Sequence, residues 1–235
     1  MYTNKAYELC NILINNNYPG RGIVVGTLKD GSPMAMYFIM GRSENSRNRV
    51  FLQEENNIRI EPYDISKLKD PSLIVYYPVR KIENTLIITN GDQTDTIYDF
   101  LSKGKSFEDA LQRRFYEPDA PHFTPRISAL LNLENGDYSL SILKKQKYDS
   151  DLCTRQYFNY KANPGTAHFI HTYEEDGEIL TSFYGEPCLL EVSDDFNSFV
   201  KNVWDSLNMD NKISLYAYSK QGIIIINRHN KQEAL

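Results

Sequence analysis

The segment 41–49 is where the chain is richest in side chains that bind anions. It reads GRSENSRNR, and its three arginines and one glutamate give 3 − 1 = +2 in a chain whose net charge is −5. Guanidinium groups bind phosphate or carboxylate through two parallel hydrogen bonds, a geometry that lysine cannot match. The segment lies between two predicted strands, so it predicts an anion-binding loop, with a solvated polar loop as the alternative.

A second polar run, NGDQTDT at 90–96, lies between a predicted strand and a predicted helix. Its Asn-Gly step permits a sharp turn, and Thr94 or Asp95 can cap the helix. Free backbone N–H groups at the start of a helix can bind an anion. The alternative is that Asp92 and Asp95 only satisfy the end of the helix.

Three further charged residues lie beside predicted turns. Arg21 belongs to the turn YPGRG at 18–22, where Pro and Gly fix the bend and leave Tyr18 and Arg21 free to point elsewhere. Arg126 follows a Thr-Pro step at the start of a strand, and Glu117 ends a predicted helix. A solvated helix end is the alternative for Glu117.

Other kinds of site have weaker support. His168 and His171 are three residues apart on a predicted strand, so they point to opposite faces and do not suit one metal ion. Residue 2 is Tyr2, so loss of the initiator methionine exposes no Ser, Thr or Cys nucleophile. The three cysteines are far apart, which predicts neither a disulfide framework nor a zinc site and favours the cytoplasm.

Length and composition predict one globular domain, residues 1–235. Of the 235 residues 41% are hydrophobic, which is enough for a substantial core. No apolar run approaches the roughly 20 residues of a membrane helix, and the N-terminus does not resemble a signal peptide. The 31 acidic residues outnumber the 26 basic ones, which argues against nucleic-acid and membrane-surface binding.

Tight turns between apolar runs predict antiparallel hairpins that would position these side chains. Asp-Gly, Asn-Gly and Gln-Gly steps favour such turns because their residues tolerate positive φ. The predicted strand pairs are 23–28 with 34–40, 127–133 with 138–143, 167–173 with 179–184, and 213–218 with 223–227.

Several runs are apolar on both faces, which indicates sheets that are covered on both sides. These runs are 73–77, 86–88 and 223–226. Helical spacing and capping residues predict fewer helices, at 6–14, 94–103, 106–116 and 194–207. The pattern favours an α+β fold in which two mainly antiparallel sheets stack face to face with helices outside.

Five polar and turn segments occur in an order that resembles one family. They are YPGR at 18–21, GRS at 41–43 with NR at 48–49, QEE at 53–55, NGDQTDTI at 90–97 and TPRI at 124–127. The sequence resembles the archaeal-type inosine monophosphate (IMP) cyclohydrolases, densely over about residues 18–133 and more loosely afterwards, which leaves 1–17 as an N-terminal extension.

The resemblance implies a four-layer αββα sandwich similar to the N-terminal nucleophile hydrolases but without their nucleophile, in agreement with Tyr2. It implies the last step of purine synthesis, in which 5-formamidoimidazole-4-carboxamide ribonucleotide closes to IMP with loss of water. It implies no metal and no organic cofactor. The expected partner is a purine ribonucleotide, with no nucleic acid and no membrane, and a homo-oligomer is left open.

The resemblance also implies site residues. Its catalytic arginine, tyrosine and glutamate fall on Arg49, Tyr76 and Glu117. We expect Arg49 to stabilise the developing oxyanion, Tyr76 to relay a proton and Glu117 to orient or deprotonate the carboxamide. The residues expected to bind substrate are Arg21, Arg42, Asn48, Asn90, Asp92, Thr94, Asp95 and Arg126, with Arg21, Arg42 and Arg126 as candidates for the 5′-phosphate.

Two other functions are compatible with the sequence. A nucleotide-binding relative could keep the phosphate pocket but regulate, or act on a different ribonucleotide amide. A purely structural protein is the third possibility, but it gives no reason for arginines and polar residues to gather in several loops.

Overall fold

Thirteen strands and five α-helices make up the part of the chain that the computed structural model describes, residues 8–67, 75–146 and 149–229. The strands, in chain order, are β1 (Arg21–Thr27), β2 (Pro33–Met40), β3 (Val50–Glu54), β4 (Asn57–Glu61), β5 (Val79–Ile82), β6 (Thr85–Thr89), β7 (Arg126–Asn132), β8 (Tyr138–Gln146), β9 (Asp149–Tyr160), β10 (Thr166–His171), β11 (Cys188–Glu191), β12 (Lys212–Ser219) and β13 (Gly222–Asn227). The helices are α1 (Leu9–Ile14), α2 (Glu44–Arg47), α3 (Gln93–Leu101), α4 (Phe107–Leu111) and α5 (Phe196–Ser206).

The strands form two antiparallel sheets. The six-stranded sheet has the order β11-β10-β1-β2-β12-β13, and the seven-stranded sheet has the order β3-β4-β5-β6-β7-β8-β9. The chain passes from the first sheet to the second between β2 and β3 and returns between β9 and β10. Residues from both sheets can therefore meet at the end of the sandwich where these strands begin or end.

Three of the four predicted hairpins are confirmed. β1 pairs with β2, β7 with β8 and β12 with β13 in antiparallel register. Gly31 and Gly136 occupy the turns with φ of 81° and 77°, a conformation that glycine adopts without steric cost.

The prediction of a hairpin with its turn at 176–177 is wrong. Its second strand, expected at 179–184, is reduced to an isolated bridge between Tyr173 and Ser182. In this segment Leu180 and Phe183 are buried whereas Ile179 is 68% exposed, so the buried positions are three residues apart. A strand buries alternate residues, so this spacing does not suit one.

Between the two sheets lies the inner core. Tyr37 and Ile39 of β2 point into it, where they meet residues such as Phe51, Ile88 and Ile127 of the other sheet. The apolar runs in these strands are continuous because their alternate residues face outward into a second, helix-covered core.

Helices cover both outer faces. Leu13 of α1 and Val203 of α5 pack on Phe38 and other outward residues of the six-stranded sheet. On the opposite side, Ile97 of α3 and Leu111 of α4 pack on the seven-stranded sheet. The predicted α+β fold of two stacked antiparallel sheets with helices outside is confirmed.

The predicted helices occur, with different ends. α4 begins with the expected capping box of Ser106 and Asp109 but ends at Leu111 instead of near residue 116. α5 is capped by Asp195, whose carboxylate accepts from Ser198 N at 3.0 Å. α1 begins at Leu9, and residues 6–7 of its predicted range lie outside the described residues.

The predicted strand at 73–77 is not formed in its described part, residues 75–77. Residues 73 and 74 lie outside the described residues, residues 75 and 76 are bends, and residue 77 belongs to no regular element. One backbone bond, from Ile60 N to Tyr76 O at 3.0 Å, attaches this segment to β4, and Tyr76 joins the inner core. None of the described helices is long and apolar enough to cross a membrane.

Candidate active site

The candidate site lies where strand ends of both sheets meet. Arg21 is the first residue of β1, Arg49 directly precedes β3 and Tyr76 lies shortly before β5. Residues 90–92 follow β6, and Glu117 lies in the loop that leads to β7. The site is therefore built from segments that are distant in sequence.

Arg49 is placed by the short helix α2. The side chains of Ser43 and Ser46 form a capping box around α2, and Ser46 O accepts a hydrogen bond from Arg49 Nε at 2.7 Å. The side chain of Arg49 is almost completely buried. Burial lowers the pKa of its guanidinium, and the neighbouring charge of Arg21 lowers it further.

Arg21 follows a turn that only glycine can complete. Gly20 has φ of 78°, and a Cβ there would overlap Thr172 Oγ1 and the ring of Tyr173. Arg21 N donates to Thr172 Oγ1 at 3.1 Å, which fixes the start of β1. Its Nε atom is buried and has no hydrogen-bond partner in the described part of the chain, so this guanidinium has free capacity for an acceptor.

Arg21 and Glu117 are neighbouring charges. Burial of Arg21 opposes its positive charge, but Glu117 and the phenols around it outweigh burial and raise its pKa. Burial raises the pKa of Glu117, and Arg21 is the charge that opposes this rise most, followed by Arg126. A buried carboxyl with a raised pKa beside guanidinium groups suits general acid–base chemistry.

The loop that carries Glu117 is attached to the opposite sheet. Glu117 N donates to Thr124 O at 2.9 Å, and Thr124 N donates to Asp119 Oδ1 at 2.6 Å. Thr124 Oγ1 lies 2.5 Å from Tyr173 Oη, which follows β10. These bonds hold the Glu117 loop of the seven-stranded sheet against the end of the six-stranded sheet. Glu117 lies in this loop and not at a helix end as expected, because α4 stops at Leu111.

Tyr76 completes the central group. Its hydroxyl donates to Asn90 O at 2.8 Å and lies 3.4 Å from Tyr37 Oη. Burial raises the pKa of Tyr76, whereas Arg49 and Arg21 lower it and Glu117 raises it. The three residues predicted to be catalytic are therefore close enough to influence one another's charge.

A second cationic group surrounds the start of α3. Arg126 Nη1 lies 2.8 Å from Asp92 Oδ1 and 2.6 Å from Gln93 Oε1, and Arg114 also pairs with Asp92. Burial of Asp92 raises its pKa, but the two arginines outweigh burial and lower it. Two guanidiniums share one carboxylate, so a positive charge is left over near the first N–H groups of α3, an arrangement that suits a phosphate.

Gly91 keeps this group close to Glu117. A Cβ at Gly91 would overlap Arg126 Nη1, would lie 2.6 Å from Gln93 Oε1 and 3.4 Å from Glu117 Oε1. The backbone of residue 91 therefore lines the gap between the cationic group and the central carboxyl.

The arginines of the segment 41–49 do not form one loop site. Arg42 Nη1 pairs with Asp176 at 2.9 Å and its guanidinium lies over the ring of Tyr18, with 5.0 Å to the ring centre. Arg47 donates to Gly41 O at 3.0 Å, so its role is to hold the loop. Of the three arginines only Arg49 reaches the central group.

Four predicted binding residues have their polar atoms occupied by the protein. The side-chain amide of Asn48 binds the backbone of Asp64 twice: Nδ2 donates to Asp64 O at 2.7 Å, and Oδ1 accepts from Asp64 N at 2.7 Å. Asn90 Oδ1 accepts from Ile127 N at 2.9 Å and its Nδ2 donates to Pro125 O at 2.8 Å. Thr94 Oγ1 lies 2.6 Å from Thr89 Oγ1, and Asp95 pairs with Arg80 at 2.8 Å. These residues shape the loops around the site.

Several residues of the group were missed from sequence. Tyr37 lies in an apolar strand and looks like an ordinary core residue, and Arg114 lies in a segment that was expected to be helical. Two tyrosines next to polar segments are a sequence signal for this end of the site. Tyr18 precedes Pro-Gly-Arg, and Tyr173 follows Thr172. Their rings stack with centres 5.9 Å apart beside Arg21.

The two histidines point to opposite faces of β10, as strand periodicity predicts. His168 Nδ1 lies 2.6 Å from Tyr138 Oη on the inner side. His171 stacks on the outward-facing Phe169, with 4.8 Å between ring centres. Burial lowers the pKa of each to about 4.

Comparison with known proteins places these residues in one family. A family model described as IMP cyclohydrolase-like protein matches residues 18–222. An IMP cyclohydrolase of Methanococcus aeolicus is 31% identical over 161 residues, which cover 67% of this chain and 74% of that protein. The IMP cyclohydrolases of Methanocaldococcus jannaschii and Methanopyrus kandleri are 36% and 34% identical over 125 and 120 residues, covering 52% and 50% of this chain and 59% and 60% of those proteins. Because the family match runs from the turn before β1 to the start of β13 and includes every residue of the central group, the chain belongs to the IMP cyclohydrolase-like protein family.

Proposed function

We propose that this protein is an IMP cyclohydrolase, which closes 5-formamidoimidazole-4-carboxamide ribonucleotide to IMP with loss of water. The observation that carries the proposal is the buried group of Arg21, Arg49, Tyr76 and Glu117, drawn from four segments of a chain that belongs to this family. Guanidinium, phenol and carboxyl groups are the side chains that the reaction requires.

The reaction joins two weakly reactive groups of one molecule. The carboxamide nitrogen attacks the formyl carbon, a C–N bond forms, and the formyl oxygen takes up negative charge. One hydrogen from the carboxamide nitrogen and one from the formamide nitrogen then leave with that oxygen as water. An enzyme accelerates such a step by holding the two groups together and by stabilising the oxygen charge.

Arg49 is the proposed partner of the developing oxyanion. Its Nε is held by Ser46 O, so the guanidinium is fixed before substrate binds. A buried, pre-oriented charge is worth more to a transition state than a solvated one, because no solvent must reorganise.

Glu117 and Tyr76 are the proposed proton carriers. Glu117, with its raised pKa, orients the carboxamide or takes a proton from its nitrogen, and in the second case it passes that proton on to the departing oxygen, which leaves as water. Tyr76 supplies a proton to the departing oxygen, and a substrate nitrogen returns one to it. Arg21 lies beside Glu117, so we assign Arg21 to the reacting end of the site and not to the 5′-phosphate.

The cationic group at the start of α3 is the proposed phosphate end. Arg126 and Arg114 supply the charge, and the first N–H groups of α3 add to it. Arg42, over Tyr18, is assigned to the edge of the site. We further propose that the reaction uses no metal and no organic cofactor, that the enzyme is cytoplasmic, and that its fold is similar to the N-terminal nucleophile hydrolases.

The direct test is to mix the purified chain with the formamido substrate and follow ring closure by ultraviolet absorbance. We expect turnover by the wild type and a loss of about 100-fold or more in Arg49→Lys. Arg47→Lys is the matched control, since Arg47 lies two residues away and only holds the loop. Binding of IMP, seen as a thermal shift, without turnover would favour the regulatory alternative.

A further inference from the structure

Tyr37 is a buried phenol beside the proposed proton carrier. It lies on the inner face of β2, is fully buried, and stacks on Phe51 with 5.6 Å between ring centres. Its ring is therefore held in place by the inner core, and its hydroxyl points toward Tyr76, 3.4 Å from Tyr76 Oη.

The hydrogen bonds of Tyr76 decide which of the two phenols donates. The single hydroxyl hydrogen of Tyr76 is given to Asn90 O at 2.8 Å. The oxygen of Tyr76 can then only accept from Tyr37. The separation of 3.4 Å is long for two hydroxyls, and contacts of this kind shorten when a site binds its substrate.

Tyr216 provides a natural comparison. Tyr216 pairs with Tyr37 in the register of β12 and β2, so both phenols lie side by side on the inner face and both are fully buried. The hydroxyl of Tyr216 has no hydrogen-bond partner within the described ranges. The inner core therefore tolerates a buried phenol as packing alone, and only that of Tyr37 reaches the site.

We propose that Tyr37 is a positioning residue for ring closure, one that donates its hydroxyl hydrogen to Tyr76 Oη. The inference rests on the proposed function. When the hydroxyl of Tyr76 turns from Asn90 O to the departing oxygen and gives up its proton, negative charge grows on Tyr76 Oη and the hydrogen bond from Tyr37 strengthens. When Tyr76 takes a proton back from a substrate nitrogen, the phenol is restored and no net charge remains.

The surroundings of Tyr76 agree with this assignment. Burial is the largest influence and leaves the pKa of Tyr76 raised, with Glu117 adding to it, whereas Arg49, Arg21 and the hydrogen bond from Tyr37 lower the pKa and so favour the anionic form. Tyr37 therefore acts in the same direction as the two guanidiniums, but through a directed bond that also fixes where the oxygen lies.

The test is a double-mutant cycle in which Tyr37→Phe and Tyr76→Phe are made alone and together. Tyr37→Phe should lower kcat about tenfold, the scale of one hydrogen bond, with KM changed less than about twofold. Since Tyr37 acts through Tyr76, the double variant should be no slower than Tyr76→Phe alone. Tyr216→Phe, which removes an equally buried hydroxyl, should have wild-type kcat.

Each outcome decides the inference. A wild-type kcat in Tyr37→Phe, or losses that multiply in the double variant, would overturn it. A similar loss in Tyr216→Phe would show that any buried hydroxyl matters and would also overturn it. If the wild type does not close the ring, the proposed function fails. The hydrogen bond between Tyr37 and Tyr76 is then tested separately, by measuring the free energy of unfolding of the same three variants. A double variant that loses less than the sum of the two single losses supports the bond, and a double variant that loses the full sum refutes it.

Discussion

Glu117 illustrates how burial creates chemistry at the scale of one residue. A carboxyl in solution is ionised at neutral pH, but burial raises the pKa of Glu117 above its ordinary 4.5, while Arg21 and Arg126 prevent a larger rise. The same group is thereby able to accept a proton at a higher pH than a carboxyl in solution and to release it again.

Glu117→Gln should lower kcat/KM at least about 100-fold, because the variant cannot exchange a proton. In the wild type, activity should fall as the pH drops through the raised pKa, so the acid limb should lie above pH 4.5. A pH–rate profile checks this.

The folding stability should change with pH in the opposite direction to the activity. A raised pKa in the folded state means that the wild type is most stable with Glu117 protonated and loses stability as the pH rises through that pKa. The Gln variant avoids this loss, so its Tm at pH 7 should equal or exceed that of the wild type. A Gln variant that turns over normally would remove Glu117 from the mechanism.

Gly91→Ala should weaken substrate binding. The new Cβ overlaps Arg126 Nη1 and must displace the guanidinium that we assign to the phosphate. We expect KM to rise about tenfold with a smaller change in kcat. Gly177→Ala is the control, because its nearest neighbour is Ile179 O at 3.5 Å and there is room for a methyl group. Equal KM values in the two variants would contradict the phosphate assignment.

At the scale of elements, the site depends on a loop that is held by hydrogen bonds and not by a helix. Once α4 has ended at Leu111, the path to β7 is fixed by Thr124, which bonds Glu117 and Asp119 through its backbone and Tyr173 through its hydroxyl. The side chain of Thr124 thus helps to join the two sheets at the catalytic end.

Thr124→Val keeps the shape of the side chain but removes its hydroxyl, leaving both Asp119 Oδ2 and Tyr173 Oη without this partner. We expect stability to fall by about 1–3 kcal/mol, and kcat to fall about tenfold as Glu117 loses its fixed position. Urea unfolding and turnover measure the two effects. Thr27→Val, which removes a buried hydroxyl bonded to Asn163 O away from the site, should lower stability without lowering kcat.

At the scale of the whole molecule, the stretch before the family match contributes to the outer layer. The family match begins at residue 18, and α1 lies before it. Leu9 and Leu13 of α1 are buried in the core between the six-stranded sheet and α5. The described part of the extension is therefore packed against the outer face of the six-stranded sheet.

Leu13→Ala should lower the free energy of unfolding by about 2–5 kcal/mol, because it leaves a cavity in this core. Turnover should stay within about twofold of the wild type. Ile14→Ala, at a neighbouring position that is 63% exposed, is the control and should change stability by less than about 0.5 kcal/mol. Loss of turnover in a folded Leu13→Ala would connect the extension to the site.

That residues 1–235 form one domain remains a prediction, and the same unfolding curves test it. One domain should unfold in a single transition that tryptophan fluorescence and circular dichroism report at the same urea concentration. Two separated transitions would contradict it.

Short-range interactions made much of this molecule predictable from sequence. The turns at Gly31 and Gly136, the capping box at Ser106 and the helices α3 and α5 depend on residues only a few positions apart, so the sequence pattern determined them by itself. The same holds for the resemblance that selected Arg49, Tyr76 and Glu117, since it rests on short strings in a fixed order.

Which polar groups meet was decided only by the tertiary structure. Arg42 pairs with Asp176, which lies 134 residues away in the sequence, and Tyr37 contacts Tyr76, which lies 39 residues away. The charge and polarity of the segment 41–49 do not by themselves distinguish the arginine that pairs at the edge from the one that is buried in the centre. The physical reason is that a buried charge or hydroxyl takes the partner that the packing of two sheets brings within reach, and that packing is a property of the whole chain.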